Sequence, residues 1–423
     1  MLTIPPVTAF VTWAHVWMAL EMLFYPIKFW GIRINNMPFG LKGLGWQGIV
    51  PAKAGKISGK IVDQTLSKLG SLDEFFQAME PEEMAEFITL TVDKNLESLI
   101  DEIMLERSYN LWTHMPYAIR RRIYSHVHAK LPDIMKALVM DLTYNVESLV
   151  DMRQMIVSKM ESDRKLMVDM FLRVGKKEIN FIWKISALIG FGFGVVQMAI
   201  FYFVPQHWTV PFFAMVWGAL TNWIAIWMVF NPVEPRFIPF IRLFRYEMVD
   251  GHKRIRWMRP HWHTYSWQGG FMKRQDEVSS VFAEIVVKEL VTLENIMHEM
   301  MYGSRADQTR DLMKSHLYGM LEEPVVATTL KMGMNEQSLD HFKDMILDKS
   351  IDATMVPIRD PKLNTSRASK IFGLFEGRIR ALTPKEFQNL LRPAFQEDEI
   401  TLIVLGGITG FLAGWLHLVV VFF

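Results

Sequence analysis

Leu220 to Pro232 reads "LTNWIAIWMVFNP". It closes an apolar run, yet it sets Thr221 and Asn222 side by side before it stops at Asn231-Pro232. A bilayer core of about 30 Å takes about 20 apolar residues in a helix. Inside such a helix Thr and Asn can hydrogen-bond to a neighbouring helix, and a proline ends the helix at the interface. Near the start, "HVWMALEMLFYP" (His15 to Pro26) repeats the wording. Trp17, Ala19, Met22, Phe24 and Pro26 fall on Trp223, Ala225, Met228, Phe230 and Pro232. There the polar pair becomes His15 and Val16, so the two strings are not equivalent.

Working outward, four stretches are apolar enough to span: 7–30, 181–204, 209–230 and 400–423. The first is interrupted by His15, Glu21 and Lys28. A tight turn at Pro205–Trp208 joins the second to the third. Further matches follow in the same order. Trp46-Gln47-Gly48 meets Trp267-Gln268-Gly269; Ile57, Ile61, Leu69 and Leu72 meet Val278, Phe282, Leu290 and Leu293; Glu178-Ile179 meets Glu399-Ile400. The chain therefore reads as two copies of one plan. Repeat one is 1–205, with spans 7–30 and 181–204 around a helical region 31–180. Repeat two is 206–423, with spans 209–230 and 400–423 around a helical region 231–399. An even number of crossings per copy gives parallel repeats, with both polar regions on one side and both termini on the other. Lys28, Arg33, Lys42, Arg173, Lys176, Lys177, Arg236, Arg242 and Arg245 flank the spans on the polar side, and the other side carries no Lys or Arg. The positive-inside rule places the polar regions in the cytoplasm.

The rest of the composition fits. Half of the 423 residues are hydrophobic and 22% are charged, with mean hydropathy +0.13. A net charge of +1 excludes a strongly basic surface for nucleic acid. The absence of cysteine removes disulfides, thiolate catalysis and Cys-type metal sites. No cleavable leader is expected, since residues 1–6 lack a positive segment.

The fold class is all-α. Ile57, Ile61, Leu66, Leu69 and Leu72 make one apolar face. From Ile134 onward no Gly or Pro interrupts the helical pattern, which predicts a long helix leading into the second span. "VPIRDPKLNTSRAS", 356–369, is the best loop candidate. Thirty methionines suit either ordinary cores or surfaces that adapt to apolar partners.

Signatures of chemistry are scarce: no P-loop, no His-Glu-x-x-His, no Gly-x-Ser-x-Gly and no dinucleotide glycine fingerprint. His126 with His128, and His252 with His261 and His263, read as surface or interfacial histidines rather than metal ligands. No cofactor is expected. Aromatic and basic residues cluster just after the first and third spans. Trp30, Arg33, Trp46, Arg254, Arg256, Trp257, Trp262 and Trp267 are the candidates for an interfacial collar facing anionic lipid headgroups. Within the spans, Glu21 is costly and is expected to pair with Lys184, while Thr221 and Asn222 bond across helices. Glycines at 190, 192, 194, 406, 407, 410 and 414 mark close helix contacts.

"TNWIAIWMVFNP", "WQGIVPAKA", "DRKLMVDMFLRVGKKEINFI" and "LLRPAFQEDEITLIVLGGITGFLAGWLH" resemble the bacterial membrane-protein family called domain of unknown function 445, over essentially the whole chain. Gly269-Gly270-Phe271 departs from the Gly-Ile-Val-Pro that follows Trp46-Gln47. The resemblance implies a bacterial inner-membrane location with a large cytoplasmic part, and no reaction. The expected function is a non-enzymatic scaffold, a homo-oligomer that organises membrane or lipid without nucleic acid. The alternative is a component of a conduit for lipid or another apolar solute, lined by the helical stripes.

Overall fold

Apolar helices form at Ile4–Phe24, Arg164–Phe203, Thr209–Phe230 and Glu399–Phe422. Each is long and apolar enough to cross a membrane. The computed structural model describes residues 2–33, 43–64, 69–237, 244–249, 252–257, 266–321, 327–328, 336–396 and 399–422. Leu66 and Trp262 lie outside the described residues, as do His261 and His263.

The first span is shorter than 7–30. Its helix stops at Phe24, Tyr25 turns extended and Pro26 follows. Trp30 then opens a four-residue strand instead of ending a helix. The long helix expected from Ile134 is also divided. It breaks after Tyr144, at Val150–Asp151 and at Asp163. The cause is local: Asn145 Nδ2 donates to the Asp141 carbonyl (2.8 Å), Asp151 accepts from the Gln154 N–H (2.9 Å), and Asp163 accepts from the Leu166 N–H (3.1 Å). Short polar side chains offer the backbone an alternative to the helical ladder. Beyond Asp163 the helix runs without interruption for 40 residues into the second apolar stretch. The loop expected at 356–369 contracts to Arg359–Asp360, because Pro361 starts the next helix, where its missing N–H costs nothing.

Helix dominates, and the few strands form two-stranded antiparallel pairs. Trp30–Arg33 pairs with Gly43–Trp46, Arg236–Phe237 with Ser266–Trp267, and Phe244–Val249 with His252–Trp257.

Contacts gather the chain into two compact units, and each draws on both sequence halves. One comprises Met1–Thr65, Met160–Phe282 and Ile379–Phe423 and holds the four apolar helices. The other comprises Leu66–Lys159 and Ala283–Arg378. Its helices bury the methionine stripes against one another: Met84, Met135, Met297, Met300, Met301 and Met313 are all core residues. Phe75 stacks on Phe375 with ring centres 4.2 Å apart. Arg367, 8% exposed, donates to the Met79 carbonyl, Glu80 and Glu83 at 2.9–3.0 Å. These stripes face their own core.

Candidate functional site: the polar interior of the apolar helices

In the unit that holds the apolar helices, the first packs on the second and the third on the fourth. Small residues set the spacing. A Cβ on Gly190 would meet Thr12 at 2.5 Å, and one on Gly194 would meet the Pro5 backbone at 2.5 Å. Gly218, Gly410 and Gly414 leave equally little room against the facing helix. Gly192 meets nothing and Gly407 only ordinary contacts, so not every glycine of the run serves packing. Trp13 stacks on Trp183 and Phe193 on Trp217, with ring centres 5.3 and 4.7 Å apart.

At the ends of the first and third helices the chain turns the same corner twice. The Tyr25-Pro26 and Asn231-Pro232 peptides are both cis. The Gly48 N–H donates to the Pro26 carbonyl (2.9 Å), and Gly269 does the same to Pro232 (3.0 Å). Gln47 Nε2 donates to the Ile27 carbonyl (2.8 Å), and Gln268 Nε2 to Val233 (3.0 Å). Trp46 sits opposite Trp30, and Trp267 opposite Arg236. So the Trp-Gln-Gly string and the helix-ending proline, separate in sequence, are parts of one joint.

Two cavities lie inside the bundle. The inner one, of about 60 Å³, is apolar except for Glu178 and Asn222. Val16 and Ala19, Ile182, Val229 and Phe271 supply much of its wall. Asn222 is buried and donates across to the Leu402 carbonyl of the fourth helix at 2.7 Å. Glu178 is 5% exposed; Oε1 accepts from Arg274 at 2.5 Å, while Oε2 has no partner. Arg274 also pairs with Glu277, which Lys177 approaches at 2.6 Å. Arg274 and Lys177 together hold the Glu277 carboxyl down to about 2. Burial works against the Arg274 charge, but the two carboxylates outweigh it and raise its pKa.

The outer cavity, of about 20 Å³, lies toward the opposite ends of the helices. It is lined by Thr12, His15, Gln197, Trp217 and His417 among others. Beyond it Ile4, Phe201, Val210 and Leu418 form a fully apolar cluster.

The residues singled out from sequence fare unequally. Glu21 and Lys184 make no ion pair, which corrects the expected pairing, and both are exposed. With the first helix ending at Phe24, Glu21 occupies its last turn, on the face of Trp17, Met18 and Tyr25. An exposed carboxylate in the last turn needs no partner inside the bundle. Thr221 is buried, but its hydroxyl donates to its own helix at Trp217 (2.7 Å), not to a neighbour; Asn222 alone bonds across. Trp30 is 78% exposed, while Trp46 and Trp267 are half-buried in the corner strands. Arg33 ends a corner strand. Arg254, Arg256 and Trp257 stand opposite Glu247, Arg245 and Phe244 in the backbone register. His126 and His128 lie on one helix, where positions two apart diverge; His128 meets Asp93 at 2.5 Å. Among the described residues no metal-sized cluster of ligands gathers. Sequence reasoning passed over Glu178, Gln197 and Trp217 as site residues. A signal existed: Ser186, Gly190, Gly194 and Gln197 fall on one helical face of small and polar residues.

The class these features define is an α-helical protein with a four-helix apolar bundle that buries a few polar side chains, and a separate helical unit with its own core. No family model, curated protein or solved structure matches the chain.

Proposed function

We propose that this is a multi-pass bacterial inner-membrane protein that acts as a non-enzymatic scaffold, organising membrane or lipid as a homo-oligomer. The observation that carries the reading is the doubled corner. Each copy sets a short aromatic strand pair directly where an apolar helix ends, with Trp30 exposed. Tryptophan there belongs at the headgroup layer, and the adjoining Arg and Lys favour anionic lipid.

The matched corners also support an internal duplication. So do the unit boundaries: Thr65 and Phe282 differ by 217 positions, Lys159 and Arg378 by 219. Two copies in one orientation put both polar segments on one side, the cytoplasmic one by charge. Membership of the domain of unknown function 445 family rests on the quoted motifs. The alternative is a component of a conduit for lipid or another apolar solute, lined by the helical stripes; the burial of Met84, Met135, Met297 and Met313 favours the scaffold over it.

Native mass spectrometry of the complex extracted with its lipids tests the reading. A defined oligomer retaining anionic lipid supports the scaffold; a lipid-free monomer sinks it. A single cysteine at position 206 must label from outside the cytoplasm, and labelling only from within overturns the orientation.

A further inference from the structure

Trp17, Glu21 and Tyr25 follow one another at four-residue steps along the first apolar helix and its end, so they stand on one face. Trp17 is 51% and Tyr25 42% exposed, and Glu21 between them is exposed as well. With Met18 and Ile27 they line an open groove of about 570 Å³, in which Glu21 is the only charged residue. That volume lies inside the range of roughly 300–1,000 Å³ for ligand sites.

Each part of this groove favours a cation. The Glu21 carboxylate has no ion-pair partner among the described residues. It stands in the last turn of its helix, where the backbone dipole already places about half a negative charge and disfavours an anion. The chain puts no basic residue in that turn to offset either. Trp17 and Tyr25 add the negative faces of their rings, which attract organic cations. Glu21 therefore does nothing for its own helix, and an ionisable residue in an apolar span marks a functional site before it marks packing.

The groove also selects among cations. Calcium and magnesium require about six or more oxygen ligands, and one carboxylate with two rings does not supply them. A primary ammonium donates its N–H groups to the carboxylate while its carbon chain lies against the rings. Lys28 is exposed and comes directly after Ile27, so a phosphate joined to that ammonium has a counter-charge close by.

The geometry points to a site at the first corner for the headgroup of phosphatidylethanolamine. The lipid ammonium donates to the Glu21 carboxylate beside Trp17 and Tyr25, the phosphate meets Lys28, and the acyl chains stay in the bilayer, which an open groove allows. The second corner lacks the site. Trp227 and Asn231 take the places of Glu21 and Tyr25, while Trp223 keeps that of Trp17. One such headgroup per chain is the consequence. The site rests on the reading that the first helix crosses a membrane and ends at its surface, but it requires neither the scaffold role nor anionic lipid.

The test is native mass spectrometry of the delipidated full chain in detergent, titrated separately with phosphatidylethanolamine, phosphatidylcholine and phosphatidylglycerol of equal chain length. Wild type is expected to bind one phosphatidylethanolamine per chain about tenfold more tightly than phosphatidylcholine, whose methylated nitrogen cannot donate. Glu21→Gln should lose that preference and leave phosphatidylglycerol binding unchanged. Trp17→Leu should weaken phosphatidylethanolamine about threefold, and Trp223→Leu, at the second corner, should not. Glu21 and Trp17 are exposed, so both variants are expected to fold, and size-exclusion profiles check it. Glu21→Gln binding phosphatidylethanolamine like wild type overturns the site. So does an equal loss of all three lipids, or a changed oligomer with unchanged lipid binding, which would make the groove a contact between copies. Glycerophosphoethanolamine binding as tightly as the lipid would assign the groove to a soluble amine and overturn the lipid. A chain that retains phosphatidylglycerol without preferring phosphatidylethanolamine refutes this site alone and leaves the anionic-lipid reading standing.

Discussion

Arg274 Nη1 donates to Glu178 Oε1 at 2.5 Å, tying the base of the second apolar helix to the turn that follows the second corner. The pair is one end of a chain of alternating charge, Glu178, Arg274, Glu277 and Lys177. Removing one member of a buried ion pair strands the other, which typically costs about 3–5 kcal/mol. Arg274→Ala should therefore lower the melting temperature in detergent markedly. Adding Glu178→Gln should restore much of the loss, because no buried charge is then left. A double variant as unstable as the single one would show that Arg274 acts through packing.

The outer part of that chain responds to acid. Glu277 is ordinarily a carboxyl near 4.5 and here is held to about 2. A folded-state value below the unfolded one contributes stability above pH 4.5, and that contribution is lost as the pH falls toward 2. Wild type should melt above Glu277→Gln at pH 7, with the difference shrinking between pH 4.5 and 2 and absent below. A constant difference across that window would rule the ion pair out as its source.

The doubled corner predicts matched damage. A Cβ on Gly48 would stand 2.5 Å from the Phe24 carbonyl carbon, and one on Gly269 would stand 2.8 Å from Phe230. Gly48→Ala and Gly269→Ala should each destabilise by about 1–3 kcal/mol, the range for overpacking. Gly192→Ala should be neutral. Thermal melts of the three variants check the ranking, and tolerance of either corner substitution would break the equivalence.

Asn222 and Thr221 are adjacent and both buried, but only Asn222 joins two helices. Asn222→Leu should cost about 0.6 kcal/mol, the average for hydrogen bonds between membrane helices, and no more than ~1.7 kcal/mol, the largest such value. Thr221→Ala should cost less, since its hydroxyl serves a backbone carbonyl that already has its helical partner. Unfolding in mixed micelles separates the two, and equal losses would contradict the geometry.

What the sequence by itself determined is local. Runs of apolar residues named the four helices, and three of them end within a residue or two of the expected limits at the side of the polar turn and the terminus. Helical periodicity foretold an all-α chain, and the recurring proline and Trp-Gln-Gly strings marked two corners. Where propensity was read over too long a window it failed. Asn145, Asp151 and Asp163 divide the expected long helix because their side chains bond the backbone within three or four residues. What only the tertiary structure decided is which distant groups meet. Gln47 finds the Ile27 carbonyl, Arg274 finds Glu178, Asn222 finds Leu402, and Glu21 finds no partner. Apolarity and period fix that a face is buried, but not what covers it. The partner depends on the rotation of each helix about its own axis, which packing sets, and so a carboxylate that looked misplaced turned outward while an overlooked one, Glu178, is buried at the base of the second helix against Arg274.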